Sequence, residues 1–161
     1  MTTDNSPVPL TRGAYEELQR ELERLRTEGR REIAEEIRDA RESELDQDED
    51  VIPAFEAAKE DQAFLEGRIL QIERALANAV IIDEEAVRAS DTAQVGSTVV
   101  VQVDGAERTY RIVSAIEADA AAGRISDDSP IGAALLGRKR GDTVEVEAPA
   151  GTHRFTVKEL R

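Results

Sequence analysis

Apolar positions between residues 11 and 79 recur at helical spacing in two stretches. The second stretch alternates steps of three and four residues as a heptad does, and Gln62 is the one polar member of its stripe. The step of the first stretch breaks once, around Gly29, which predicts a drift or stutter there. The first stripe consists of Tyr15, Leu18, Leu22, Leu25, Ile33, Ile37 and Ala40, and the second of Phe55, Ala58, Leu65, Ile69, Ile72, Leu76 and Ala79.

The segment between the two stripes, near residues 42–53, is acidic and has no helical pattern. We expect Pro53 to push Ile52 out of the helical region, although a proline suits the first turn of a new helix. Two helices of similar length joined by a short segment predict an antiparallel hairpin. With a rise of 1.5 Å per residue, about thirty residues in each arm would extend roughly 45 Å. Carboxylates would then occupy the far end of a thin rod.

The pattern changes to that of β-strands after residue 95. Ser97–Val103 is rich in β-branched residues, and Asp104 and Gly105 form a hairpin turn signal. Arg108–Val113 alternates apolar and polar positions as a partner strand does. These features predict a β-hairpin.

Further along the chain, a short helix is delimited at both ends. Ser129 is a suitable N-cap, Pro130 suits the first helical position and Gly137 ends the helix. A second hairpin is predicted from Thr143–Glu147 and His153–Val157, with His153 as an outward, structural residue. Residues 116–126 are interpreted as a loop with helical turns.

The fold class predicted from these elements is α+β, with an α-helical coiled-coil hairpin followed by a small mixed domain. We expect four segments: a flexible tail at 1–10, the hairpin at 11–79 with its acidic tip near 42–53, a linker at 80–94 and the compact domain at 95–161.

Composition narrows the functional classes. The net charge of −14 argues against general nucleic-acid binding, so we expect no binding of free DNA. The chain has no cysteine, one histidine, no apolar run long enough to span a membrane and no secretion signal, which fits a cytoplasmic protein. Nucleotide-binding loops and nucleophile motifs are missing, and aromatic residues make up only 3%. A self-contained enzyme is not predicted.

Particular strings along the chain resemble the Gre family of bacterial transcription factors. The resemblance covers essentially Leu10 to Leu160, and it depends on the order and spacing of the strings together. The matching strings are Leu10–Leu18, Ile33–Ile37, Ala57–Gln62, Glu66–Ile69, Ala122–Ser126, Ser129–Gly137 and Gly141–Asp142.

The resemblance implies an N-terminal antiparallel coiled coil and a C-terminal FKBP-like domain. In such proteins the FKBP-like head docks at the rim of the secondary channel of RNA polymerase, and the coiled coil reaches towards the active centre. By this resemblance, Ser129, Pro130 and Ile131 contact the polymerase. The alternative is that Ser129 and Pro130 only start a helix, and the two interpretations are compatible.

The tip departs from the pattern of the cleavage-stimulating members. Their Asp-Leu-Ser-Glu-Asn motif, whose acidic residues help to hold the second catalytic magnesium of the polymerase, is missing here, and the loop is longer. Carboxylate oxygens are nevertheless the ligands that Mg²⁺ prefers. In an extended loop Asp46, Asp48 and Asp50 would share one side, and Glu49 would face away. The predicted metal-directed tip comprises Glu44, Asp46, Asp48, Glu49 and Asp50.

The tip is more similar to the Asp-rich cluster of family homologues that inhibit the polymerase. We therefore expect a monomeric factor that binds RNA polymerase and modulates or inhibits elongation, without a tightly bound cofactor and sharing the Mg²⁺ of the polymerase. The alternatives are stimulation of transcript cleavage, a solvated acidic turn without a metal role, a prolyl isomerase and a coiled-coil protein with an unrelated partner. Arg38, Arg41 and Lys59 could face the 3′ end of nascent RNA, or pair with the acidic loop.

Overall fold

The structure is a computed structural model that describes residues 5–44 and 52–161. The chain divides into two compact units. The first is the helical hairpin, Glu16–Ala77. The second, called the head, combines Asn78–Arg161 with the described residues up to Tyr15. The predicted α+β class, with a helical hairpin followed by a small mixed domain, is confirmed.

The helices that build the hairpin run in opposite directions. Arg41 lies over the ring of Phe55 near one end, whereas Arg26 pairs with Glu73 near the other. None of the helices within the described ranges is both long and apolar enough to cross a membrane. The helical segments are α1 (Arg12–Arg24), a π-helical turn (Leu25–Gly29), α2 (Arg30–Glu44) and α3 (Ile52–Ala77). The expectation that Ile52 lies outside the helix is wrong, because α3 begins at Ile52 and Pro53 lies in its first turn.

The π-helical turn lies where the sequence predicts a stutter. A π-helical turn takes one residue more than an α-helical turn, so it rotates the following stripe back towards the partner helix. A Cβ atom added to Gly29 would lie 3.0 Å from Leu65 Cδ1. The stutter is therefore confirmed, and the glycine lets α3 approach the turn closely.

The hairpin buries only a narrow stripe of side chains. Ala58, Ile69 and Ile72 are buried as the heptad predicts, whereas Leu65 is half-buried. Ion pairs between the arms supplement this seam. Their partners are Arg26–Glu73, Arg30–Glu66 at 2.9 Å and Arg68–Glu21 at 2.7 Å.

The head contains a small sheet of two strands, β1 (Val8–Leu10) and β2 (Ala79–Ile81), and a larger sheet of five strands. The five strands are β3 (Thr98–Val103), β4 (Ala106–Val113), β5 (Arg124–Ser126), β6 (Thr143–Ala148) and β7 (Gly151–Leu160), and their order in the sheet is β5-β4-β3-β7-β6. Its neighbouring strands are antiparallel, except that β4 and β5 are parallel. Two short helices, α4 (Glu84–Ala89) and α5 (Pro130–Leu135), accompany the sheet.

Both predicted β-hairpins are present. Asp104 and Gly105 have φ values of 50° and 79°, the left-handed geometry of a tight two-residue turn. The second turn is shorter than predicted, because Ala148 pairs with Gly151. One face of the sheet supplies the core of the head, which contains Ala93, Val99, Val101, Ile112, Ile125, Leu135, Val144, Val146, Phe155 and Val157.

The prediction of a flexible tail at 1–10 is wrong for its described end. Val8–Leu10 forms β1, which pairs in parallel with β2 (Ala79–Ile81). Leu10 is completely buried, and Ser114 Oγ donates a hydrogen bond to the Pro9 carbonyl at 2.6 Å. The two prolines indicated a loose segment, but backbone pairing and the burial of Leu10 stabilise it.

The prediction of a linker at 80–94 is also wrong. Asp83 caps α4 by accepting hydrogen bonds from the amides of Glu85 and Ala86. Val87 and Ala93 are buried, so this small and polar segment belongs to the head. Residues 124–126, within the segment predicted as a loop, form the strand β5, because three residues are too few for a periodic pattern to identify.

Candidate functional site

The segment that precedes α5 has a defined geometry. Ser129 Oγ accepts a hydrogen bond from the amide of Gly132 at 3.1 Å and donates one to the carbonyl of Ser126 at 2.6 Å. Ser129 therefore caps α5 as predicted and also ties the helix to the end of β5.

Gly132 is required for this connection. A Cβ atom at this position would lie 1.9 Å from the Ser126 carbonyl oxygen, which is a backbone atom. The first turn of α5 therefore packs directly on the end of β5. As a result, Pro130 and Ile131 have defined positions, with Pro130 exposed and Ile131 half-buried against the core.

Ser129, Pro130 and Ile131 all line an apolar depression of about 460 Å³, which we call the docking groove. The structure thus brings the three predicted contact residues together on one concave surface. The sequence pattern does not indicate the other walls of the groove, because the three-residue strand β5 has no periodic signal and the pattern does not place the two hairpins relative to α5. Those walls include Ala118, Ile125, Val146, Pro149 and Phe155.

Polar groups lie among the apolar walls of the docking groove. His153 Nδ1 is 2.8 Å from Asp104 Oδ2, so the histidine joins β7 to the β3–β4 turn. Arg124 also lines the groove and pairs with Asp119 at 3.4 Å. The pairing of His153 with a turn residue agrees with its predicted structural role, but its place in the groove was not predicted.

At the other candidate site, near the far end of the hairpin, basic groups surround an aromatic ring. The guanidinium carbon of Arg41 lies 5.5 Å from the centroid of Phe55, and Lys59 Nζ lies 5.8 Å from it. These distances are typical of cation–π contacts. Arg38 is exposed and lies 3.8 Å from Asp39. The structure therefore brings two of the three predicted basic residues to the ring of Phe55. The sequence pattern indicated Phe55 only as a member of the apolar stripe.

The predicted metal-directed carboxylates cannot be placed. Asp46, Asp48, Glu49 and Asp50 lie outside the described residues, as does the side chain of Glu44. Within residues 5–44 and 52–161, no three carboxylate or histidine side chains are grouped so that they could hold a metal ion. The metal-directed tip thus stays a prediction.

Comparison with known proteins identifies relatives over nearly the whole length of the chain. The family described as transcription elongation factor, N-terminal, matches residues 8–81, and the family described as transcription elongation factor, GreA/GreB, C-term, matches residues 88–161. Transcription elongation factor GreA of Thermomicrobium roseum is 46% identical, over 96% of this chain and 97% of that protein. The GreA of Caldanaerobacter subterraneus is 42% identical, over 98% and 99%.

A solved structure is also similar in sequence. GreA factor homolog 1 (Gfh1) of Thermus thermophilus is 34% identical, covering 96% of this chain and 99% of that one, with a TM-score of 0.44. The family matches and the identity to GreA proteins over nearly all of both chains lead to one conclusion. This chain belongs to the GreA/GreB family of transcription elongation factors.

Proposed function

We propose that this elongation factor binds RNA polymerase at the secondary channel, with the docking groove as the contact and the acidic tip directed to the catalytic magnesium. In this proposal the factor catalyses no reaction of its own, and it modulates elongation, mainly by inhibition. The observation that carries the proposal is the docking groove, in which Ser129, Pro130 and Ile131 are displayed together.

The groove has the properties of a protein-docking surface. Its walls are mostly apolar, and burial of apolar area is the main favourable term in protein association. Pro130 is exposed at the first position of α5, where it is rigid and available for contact. Arg124, Glu147 and His153 add polar groups that can select one orientation of a partner.

The basic and aromatic cluster of the hairpin fits a role close to the 3′ end of nascent RNA. Arg41 and Lys59 both lie over Phe55, so their positive charges are concentrated on one surface of an otherwise acidic protein. Such a local field acts at short range on a phosphate even when the net charge is negative. The cluster thereby contacts RNA inside a complex that the docking groove has already formed.

The tip carboxylates have the donor chemistry that Mg²⁺ takes. Asp46, Asp48 and Asp50 supply hard oxygen atoms, and Glu44 and Glu49 add negative charge beside them. Mg²⁺ in the polymerase supplies Lewis-acid chemistry to phosphoryl transfer. In our proposal these residues alter that centre by contributing carboxylate oxygens to it, and they slow the addition of nucleotides.

A second candidate function is stimulation of transcript cleavage, which the names of the relatives favour. The proteins that are 46% and 42% identical are both called transcription elongation factor GreA. In that case the same carboxylates support attack of water on a backtracked transcript. The partner and the docking groove are the same for both functions, and only the effect at the tip differs.

Binding to purified RNA polymerase tests the docking groove. Pro130→Ala removes an exposed ring from the groove, and we expect it to weaken binding by roughly tenfold, about 1.4 kcal/mol. Ala133→Ser is the matched control, because Ala133 lies on α5, is exposed and does not line the groove. Equal affinities of the two variants would contradict docking through this surface.

A stalled, backtracked elongation complex tests the tip. The variant carries alanine at positions 46, 48 and 50, and the charge-matched control carries alanine for the exposed carboxylates Glu56, Glu60 and Asp61 of α3. If the wild-type factor slows RNA synthesis and only the tip variant fails to do so, the result supports inhibition. If the wild-type factor shortens the transcript and only the tip variant fails to do so, the result supports stimulation of cleavage. If neither effect distinguishes the two variants, the tip has no role at the active centre.

A further inference from the structure

The head contains a second pocket, of about 270 Å³, that the proposed function does not use. Three arginines and one carboxylate are found among its six lining residues. We call it the arginine pocket, and it is formed by Glu84, Arg88, Gly96, Thr98, Arg111 and Arg161.

The register of the sheet places two of these arginines on either side of Thr98. Thr98 is paired with Arg111 of β4. On its other side, Thr98 and Arg161 exchange backbone hydrogen bonds, both of 2.9 Å. Directly opposed residues of neighbouring strands project to the same face of a sheet. The two guanidinium groups therefore project from strands that lie about 10 Å apart, across one threonine.

This arrangement brings several positive charges close together. Arg111 is also aligned with Arg124 on the parallel strand β5, and Arg124 has its own ion pair with Asp119 at 3.4 Å. Arg111 has one ion pair, with Glu84 at 3.3 Å, and its Nε atom is buried without a hydrogen-bond partner among the described residues. The side chain of Arg88 has no ion pair or hydrogen bond with any residue that the structure describes.

The charges around the pocket do not cancel. Glu84 opposes Arg111, and Glu159 forms two hydrogen bonds with Arg161, of 2.9 and 3.1 Å. Three guanidinium groups therefore face two carboxylates, in a protein whose net charge is −14. A local excess of positive charge inside a concave surface attracts small anions even when the overall charge repels them.

We propose that the arginine pocket binds a compact phosphate group, either free or carried by a small phosphate ester. The planar fork of arginine matches phosphate oxygens in pairs, and Thr98 adds a hydroxyl group between the two opposed arginines. The volume is below the range of about 300–1,000 Å³ that is usual for larger ligands, which favours a small oxyanion over a nucleic-acid chain. The site lies entirely within the head and does not depend on the docking groove.

Titration of the full-length protein with inorganic phosphate tests the proposal, at constant pH and at an ionic strength held constant with chloride. The amide resonances of Thr98 and Arg111 and the Nε–H resonances of the arginines report on the pocket by NMR. We expect saturable shifts, with a dissociation constant of about 1–10 mM. Arg88→Gln and Arg111→Gln should each weaken binding by about tenfold, the effect of a lost charge-assisted hydrogen bond.

Two further variants make the test specific. Glu84→Gln removes the carboxylate that competes for Arg111, so it should tighten phosphate binding by roughly threefold to tenfold. Arg108→Gln is the control: Arg108 lies on the same strand, three residues from Arg111, and is exposed outside the pocket. It should leave the affinity unchanged, and its fold can be compared with that of Arg111→Gln by thermal unfolding.

Each contrary result overturns the proposal. Absence of saturable shifts in the wild-type protein excludes the site, and equal affinities of all variants indicate non-specific adsorption to surface arginines. The last measurement is a titration with a short single-stranded RNA. Tighter binding of RNA than of phosphate through the same residues would contradict a compact phosphate site and assign the pocket to a nucleic-acid backbone.

Discussion

The hairpin and the head are stabilised in different ways. The core of the head includes residues that are completely buried, such as Val99, Ile112 and Leu135. The hairpin has a narrow seam, in which Leu65 is only half-buried, and exposed ion pairs join its arms. A continuous core holds a shaped surface in place, whereas a thin pair of helices mainly provides length. The docking groove accordingly lies on the head.

Truncation of one leucine in each region should produce the largest difference in the free energy of unfolding. Leu135 is completely buried, so Leu135→Ala should lower the free energy of unfolding of the head by about 2–5 kcal/mol. Leu65→Ala removes a half-buried side chain and should cost about 1 kcal/mol or less. Urea denaturation followed by NMR resonances of each region measures both values. Similar losses would show that the two regions depend equally on packing.

Replacing a glycine with alanine should change stability differently in the two regions, and we expect the larger loss in the head. Gly132→Ala places a methyl group 1.9 Å from the Ser126 carbonyl, so the backbone must move and the Ser129 cap is disturbed. We expect a loss of about 1–3 kcal/mol of stability, together with weaker binding to polymerase. Thermal unfolding and a binding assay provide the two readouts. An unchanged melting temperature would contradict the tight packing of α5 on β5.

Gly29→Ala should have a much smaller effect in the hairpin. The new methyl group would lie 3.0 Å from Leu65 Cδ1, the end of a half-exposed side chain that can move aside. The substitution also gains helix propensity of roughly 0.5–1 kcal/mol, which offsets the crowding. We expect a net change within about 1 kcal/mol of zero. A loss as large as that of Gly132→Ala would show that the π-helical turn requires glycine.

The smallest expected effect concerns the ion pair between Arg30 and Glu66. Its hydrogen bonds hold the pKa of the Glu66 carboxyl below its usual range, and they raise that of Arg30. A carboxyl group whose pKa is lower in the folded state than in the unfolded state stabilises the fold at neutral pH. This stabilisation is lost as the pH falls through the folded-state pKa. Because both groups are exposed, the effect is small and screened by salt.

Thermal midpoints of the wild-type protein and of Glu66→Gln test this expectation. The wild-type midpoint should be slightly higher at neutral pH and low salt, and the two should converge at acidic pH. Glu60→Gln is the control, because Glu60 is exposed on the same helix and has no side-chain partner among the described residues. A difference that persists at acidic pH would indicate a packing effect in place of the ion pair.

Local patterns determined a large part of this structure. The heptad stripes predicted the hairpin, and the broken step predicted a stutter around Gly29, which the structure shows as the π-helical turn Leu25–Gly29. The turn at Asp104 and Gly105 and the cap at Ser129 follow from side-chain and backbone preferences over a few residues. These features share one property: their interactions join residues that are close in sequence, or they repeat with a regular period.

Only the tertiary structure decided which distant residues meet. Pro9 lies beside Ser114, 105 positions away, so an apparent tail became a strand. The docking groove needs the three-residue strand β5 beside α5, and the arginine pocket needs Arg111 and Arg161 in register on either side of Thr98. These pairings depend on how the sheet assembles, and no periodic pattern within a single sequence indicates which distant residues will pair.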